Sequence, residues 1–153
     1  MDNNPLVSVV ILGEASPPEQ IDHFLTQVIN EQTYKNLDIL IVTLPRLDLE
    51  ELQDKWNKTE HHVRFLEANP GPDLISMGQE SAVGELVFYK TCGNIVWYPH
   101  HIEAHLEEFR RDKKIGWSLS HIEKRDRSRP QEFLNAMGWR IDNPPKIEDI
   151  IID

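Results

Sequence analysis

A chain of 153 residues is the size of one domain, long enough to bury a core without disulfides or metals to staple it. Its 26 acidic residues against 16 basic ones, a formal charge of -10, argue against a surface that tracks phosphate backbones, so nucleic acid is not an expected partner. The single Cys92 excludes an internal disulfide and a multi-cysteine zinc site, no apolar run approaches the ~20 residues of a membrane span, and Val7 to Leu12 lacks the length and basic flank of a signal peptide, so a soluble, cytoplasmic chain is expected.

Val7 to Leu12 is β-branched and nearly continuously apolar, the pattern of a strand covered on both faces in a parallel sheet. Ser16-Pro17-Pro18-Glu19 then combines a capping serine, an early proline and a glutamate placed to reach back, which predicts a capping box and a helix. Ile21, Phe24, Leu25, Val28 and Ile29 form its apolar stripe. Leu37 to Val42 is a second buried strand. Asp48 with Glu51 predicts another capping box, followed by a helix whose Leu49, Leu52 and Trp56 share one face. Val63 to Leu66 is a third, shorter strand. Asn69-Pro70-Gly71-Pro72 breaks the chain before a small-residue helix, Asp73 to Ala82, in which Gly78, Ser81 and Ala82 allow close approach to a neighbour.

A turn at Gly84 leads into a central strand, Leu86 to Tyr89, then a small polar loop and a helix opened by Pro99, with Ile102, Leu106 and Phe109 on one face. Ile115 to His121 alternates like a strand exposed on one face. This order, β-α-β-α-β-α-β-α-β, predicts a three-layer α/β/α fold with a mainly parallel sheet. In such a sheet ligands are held by the loops after the strands, which makes Thr91 to Asn94 the first place to look. From His121 onward the character changes. Glu123 to Pro130 is dense in charge, Phe133, Leu134 and Met137 suggest a short helix capped by Gly138, and the main sheet is not expected to extend there. Residues 1–121 are thus expected to form the α/β domain and 122–153 a C-terminal extension. The apolar pattern from Ile147 stops at Asp153 as if cut from a longer protein.

Several adjacent segments resemble the family 2 glycosyltransferases of the GT-A fold, over residues 5–121. Pro5-Leu6-Val7-Ser8-Val9-Val10-Ile11 resembles that family's first strand, and Gln32 to Val42 its helix-to-strand join. Asn69-x-Gly71 followed by Ala82-x-Gly84-Glu85 resembles the approach to its metal loop, with Pro99 where such sequences carry a proline. The resemblance implies a nucleotide-sugar cleft, for which Gly13, Glu14, Thr43, Asn69, Gly71, Thr91, Cys92, Gly93 and Asn94 are the candidate lining residues.

The family's chemical residues do not carry over. Leu12-Gly13-Glu14-Ala15 stands in place of Pro-Thr-Tyr-Asn, Thr43 and Leu44 in place of a base-contacting aspartate, and Ile75 and Ser76 in place of an Arg-Asn pair. Thr91-Cys92-Gly93, with Asn94 next, stands in place of the Asp-x-Asp motif that binds metal and diphosphate. A divalent cation is expected for the family, yet a hydroxyl, a thiol and an amide are poor ligands for hard Mg or Mn, so no metal and no catalytic residue is assigned. Losing one strong stabiliser of the leaving diphosphate costs on the order of 3 to 4 kcal/mol. The expectation is a glycosyltransferase-like domain that has lost catalysis, binds a nucleoside diphosphate or nucleotide sugar weakly, and serves other domains of a longer protein. Its competitor is an active, metal-independent transferase completed by residues beyond this chain. A flavodoxin-like phosphate-binding domain is disfavoured because no Gly-rich loop follows the first strand.

Other residues invite sharper readings against plainer ones. His101 and His105 have the i, i+4 spacing of a metal pair, with Glu108 nearby, or with His100 they are surface or capping residues; His61 and His62 flank a strand. Cys92 is either an activated nucleophile or an inert thiol, and Glu14 either faces a ligand or sits in water. Trp97, Trp117 and Trp139 stack on sugar or pack in the core. Lys124, Arg125, Arg127 and Arg129, interleaved with Glu123 and Asp126, bind phosphate or form a solvated turn.

Overall fold

The computed structural model describes residues 4–92, 99–114, 117–121 and 135–150. Four strands, β1 (Val7–Glu14), β2 (Leu37–Thr43), β3 (His62–Glu67) and β4 (Leu86–Thr91), alternate with helices α1 (Pro18–Glu31), α2 (Glu50–Asn57) and α3 (Pro72–Ser81). Helix α4 (His101–Arg111) and strands β5 (Trp117–His121) and β6 (Asn135–Arg140) complete one six-stranded sheet in the order β3-β2-β1-β4-β6-β5. The first four strands are mutually parallel, as their apolar runs predict, and only β6 runs against its neighbours.

The alternation of side chains across each strand builds two cores. Val7, Val9 and Ile11 of β1 and Phe88 of β4 meet the apolar stripes of α1, α2 and α4 on one face. Val10 and Leu12, with Val87 and Tyr89, meet Leu74 of α3 on the other. These are the three expected layers. Helix α3 lies close to the sheet at Gly78, where a Cβ would come 2.5 Å from Val10 Cγ1. At the N-terminal edge of the sheet, fully buried Asp38 accepts hydrogen bonds from Ser8 Oγ (2.9 Å), Arg64 Nη2 (2.9 Å) and Arg64 Nε (3.2 Å). Ser8 Oγ in turn accepts from the Val83 and Gly84 amides, and Arg64 Nη2 also donates to the Ser81 carbonyl. One carboxylate thereby ties β1, β2 and β3 to the α3–β4 turn.

The Gln32-Thr33-Tyr34-Lys35 segment acts as a joint. Gln32 Oε1 accepts from the Ile102 amide in the first turn of α4, and the Thr33 amide and hydroxyl donate to the Pro99 carbonyl. Tyr34 donates to the Pro5 carbonyl and Lys35 Nζ to that of Ile29, near the C-terminal end of α1.

Several expectations are corrected. The residue before α1 is Pro17, not Ser16, and it makes no side-chain cap; the Ser16 amide instead closes a turn onto the Gly13 carbonyl at 2.7 Å. Helix α2 is preceded by Leu49, again without a side-chain cap, because the Asp48 carboxylate is engaged by Arg46. Pro99 sits two residues ahead of α4 and serves Thr33 as an acceptor. Gly138 caps no helix, and the sheet does not stop at residue 121. Gly138 lies inside β6 opposite Phe88, where a Cβ would be 2.2 Å from Phe88 Cε1, while Met137 and Trp139 are buried in strand alternation. Phe133 and Leu134 lie outside the described residues, as do Ile115, the facing of the side chains in β5, and 151–153. Of the terminal apolar element, Ile147–Asp149 forms a short 3-10 helix and Ile150 packs against the α3-side core.

Candidate functional site

The C-terminal ends of β1, β2 and β4 bring five of the nominated residues to one edge. Leu12 is in register with Thr91, and the Cys92 amide donates to the Leu12 carbonyl at 3.1 Å. On the other side Glu14 is in register with Thr43 across a bulge, and its carbonyl accepts from the Leu44 amide at 3.2 Å. Gly13 fits here because β1 and β2 crowd together, leaving a Cβ only 3.1 Å from Thr43 Cγ2. Glu14 adopts φ 45, in the left-handed region that costs a residue with a Cβ of order 1–2 kcal/mol. Its side chain is exposed, whereas Thr43 is buried.

Asn69 lies one strand further out, exposed in a cavity of about 430 Å³ that Pro45, Glu67, Asp73, Ser76 and Glu80 also line. Gly71 (φ 80) precedes α3 with open space around it. Gly93 and Asn94 lie outside the described residues. Sequence reasoning missed Arg46, which spans the β1 and β2 loops: Nη1 donates to the Ser16 carbonyl (2.6 Å), while Nε and Nη2 grip Asp48 at 2.5 and 2.6 Å. The acidic wall of Glu67, Asp73 and Glu80 was also missed. Glu67, the last residue of an apolar strand, was its available signal.

The thiol of half-buried Cys92 is pushed up by burial, against a smaller opposing pull from the Ser16 hydrogen bond and Lys90, so it is a neutral group and not an activated nucleophile. Lys90 is 1% exposed with Nζ 5.9 Å from the Phe24 ring centre, placing its side chain in the α1-side layer beneath the edge. His101 and His105 are not surface residues. They occupy the inner face of α4, with rings 4.8 Å apart and edge-on to Phe88. Burial drives His101 well below the ordinary imidazole range, with His105 and Lys90 adding to the effect. Burial likewise drives His105 down to about 4, opposed by Glu108. Among the described residues no His, Cys, Asp or Glu cluster of three could hold a metal. His100 alone of the three is exposed, and His61 and His62 lie at the start of β3. Trp139 is a core residue, stacked on Tyr89 at 5.3 Å. Trp97, the Trp117 side chain and the basic residues 124–129 lie outside the description.

No family model matches the sequence, and no curated protein does. Solved structures do match. The mannosyltransferase PcManGT from Pyrobaculum calidifontis, in complex with GDP-Man and Mn2+, superposes with a TM-score of 0.67 at 14% identity, covering 90% of this chain and 45% of that one. S. aureus TarS with UDP-GlcNAc gives 0.59 at 10% identity, covering 78% and 36%. The 4-diphosphocytidyl-2C-methyl-D-erythritol synthase from Anaerococcus prevotii gives 0.60 at 13% identity, covering 92% and 72%. The fold is that of GT-A-like nucleotide-sugar transferases. The chain spans less than half the length of the mannosyltransferase and of TarS. No helix among the described residues is long and apolar enough to cross a membrane.

Proposed function

We propose that this chain is a glycosyltransferase-like binding module that holds a nucleoside diphosphate or nucleotide sugar weakly at the C-terminal edge of its sheet, with metal-assisted transfer lost. The observation that carries the reading is the end of β4, where Thr91 and a neutral Cys92 thiol stand and the sequence continues with Gly93 and Asn94. A departing diphosphate needs its charge neutralised, commonly by a divalent cation on hard anionic oxygens, and these groups supply none. Arg46 is already engaged by Asp48, and the neighbouring cavity is acidic, so attraction for phosphate is weak. Other domains of a longer protein are the proposed beneficiaries of the module.

Calorimetry with a nucleoside diphosphate, with and without Mn, tests this reading, followed by a donor-hydrolysis assay. Binding weaker than ~100 μM (about 5.5 kcal/mol) that Mn does not strengthen is expected. Tighter, Mn-dependent binding overturns it. The competing reading, a metal-independent transferase completed beyond this chain, draws support from the 45% coverage of the mannosyltransferase. Metal-free turnover would establish that alternative.

A further inference from the structure

Glu14 is the one residue other than glycine with φ in the left-handed region among the described residues. Three backbone constraints hold it there: the Ser16-to-Gly13 turn, the bulge opposite Thr43, and the bond from the Leu44 amide to its own carbonyl. Glycine would adopt this conformation freely, yet the chain carries a glutamate. The carboxylate makes no hydrogen bond or ion pair among the described residues. Glu14 sits at the end of β1, the strand between β2 and β4, in register with Thr43 and two residues past Leu12, the partner of Thr91. A strained conformation maintained for an exposed, unengaged acceptor at a strand end has the character of a ligand contact.

The kind of contact follows from charge. A carboxylate repels phosphate oxygens and can only accept hydrogen bonds, so it selects N–H or O–H donors. On the reading that the cleft takes a nucleoside diphosphate, on which this inference rests, those donors belong to the nucleoside. We infer that Glu14 is the specificity-determining residue of the cleft, accepting hydrogen bonds from a donor group of the nucleoside, either an imide-type ring N–H, as in uracil and guanine, or the ribose diol.

The test is titration of the whole chain with UDP, GDP, CDP, ADP, their 2′,3′-dideoxy forms and inorganic pyrophosphate, for wild type, Glu14→Gln and Glu14→Gly. Wild type is expected to prefer a ligand that offers the donor, and Glu14→Gln to weaken that ligand roughly tenfold or more, the scale of a hydrogen bond to a charged acceptor, with pyrophosphate unchanged. A loss that persists with the dideoxy ligand assigns the contact to the base, and a loss that vanishes assigns it to the ribose. Glu14→Gly should raise the thermal midpoint while weakening the nucleotide by a similar factor, a combination that a purely structural role does not produce. If wild type binds nucleotides and both variants bind them equally well, the role of Glu14 is refuted and the binding-module reading stands. If wild type binds no nucleotide, both fall.

Discussion

Replacing Asp38 with alanine removes the acceptor on which the N-terminal edge of the sheet converges. The carboxylate is fully buried and takes bonds from Ser8 and twice from Arg64, with His62 Nδ1 3.2 Å away. Taking away one member of a buried charged pair typically costs 3–5 kcal/mol, because the partner is left desolvated. Arg64 keeps 31% of its side chain exposed and can recover some hydration, which places the expected cost near the low end, about 3 kcal/mol. The Ser8 hydroxyl still accepts from the Val83 and Gly84 amides but loses its own acceptor, while Arg64 keeps only the Ser81 carbonyl. Urea unfolding followed by far-UV circular dichroism should show a large fall in midpoint with little change in slope. The Asp38→Ala/Arg64→Ala double variant should be less destabilised than the two single variants added together. A neutral Asp38→Ala, or strict additivity, would refute the argument that this carboxylate holds three strands and a turn together.

The buried imidazoles give a pH dependence whose sign is fixed. His105 titrates near 4 when folded and near 6.5 when unfolded, so the unfolded chain takes up the proton first and stability falls as pH drops from about 6.5 towards 4. The loss is on the order of 3 kcal/mol for His105, and His101 shifts in the same direction. Thermal midpoints between pH 7 and pH 4.5 should therefore depend less on pH in His105→Leu, and identical dependences would rule the contribution out. Gly138→Ala places a methyl against the Phe88 ring and should cost about 1–3 kcal/mol in a denaturant melt, whereas a helix-cap role for Gly138 would predict almost none.

Strands β1, β2 and β4 were legible because each is buried on both faces and reads as a mostly apolar run, and the partly buried edge strand β3 showed itself through Val63, Phe65 and Leu66, while α1 showed its stripe at helical spacing. The strand order past β4 was not. Strand β6 exposes its alternation only through Met137 and Trp139, and the reason for its glycine, the Phe88 ring, lies fifty residues away in the sequence (138 − 88). The caps failed for a different reason: Ser16 and Asp48 are good capping residues whose polar groups found other partners. His101 and His105 were misjudged by residue type, although with Ile102, Leu106 and Phe109 they complete one helical stripe. That Gly13, Glu14, Thr43, Thr91 and Cys92 share one edge of the sheet was readable from the strand ends. The backbone of Glu14 was not, since it depends on a bulge formed with β2.

The joint at Gln32 to Lys35 fixes where the chain returns to the fold after β4. The chain enters the segment after β4 from Cys92, pinned to Leu12, and leaves it at Pro99 and Ile102, pinned to Thr33 and Gln32. Both stems are anchored by residues outside the segment between them, on β1 and at the end of α1, so the span that a ligand-holding segment must bridge here is set by the scaffold.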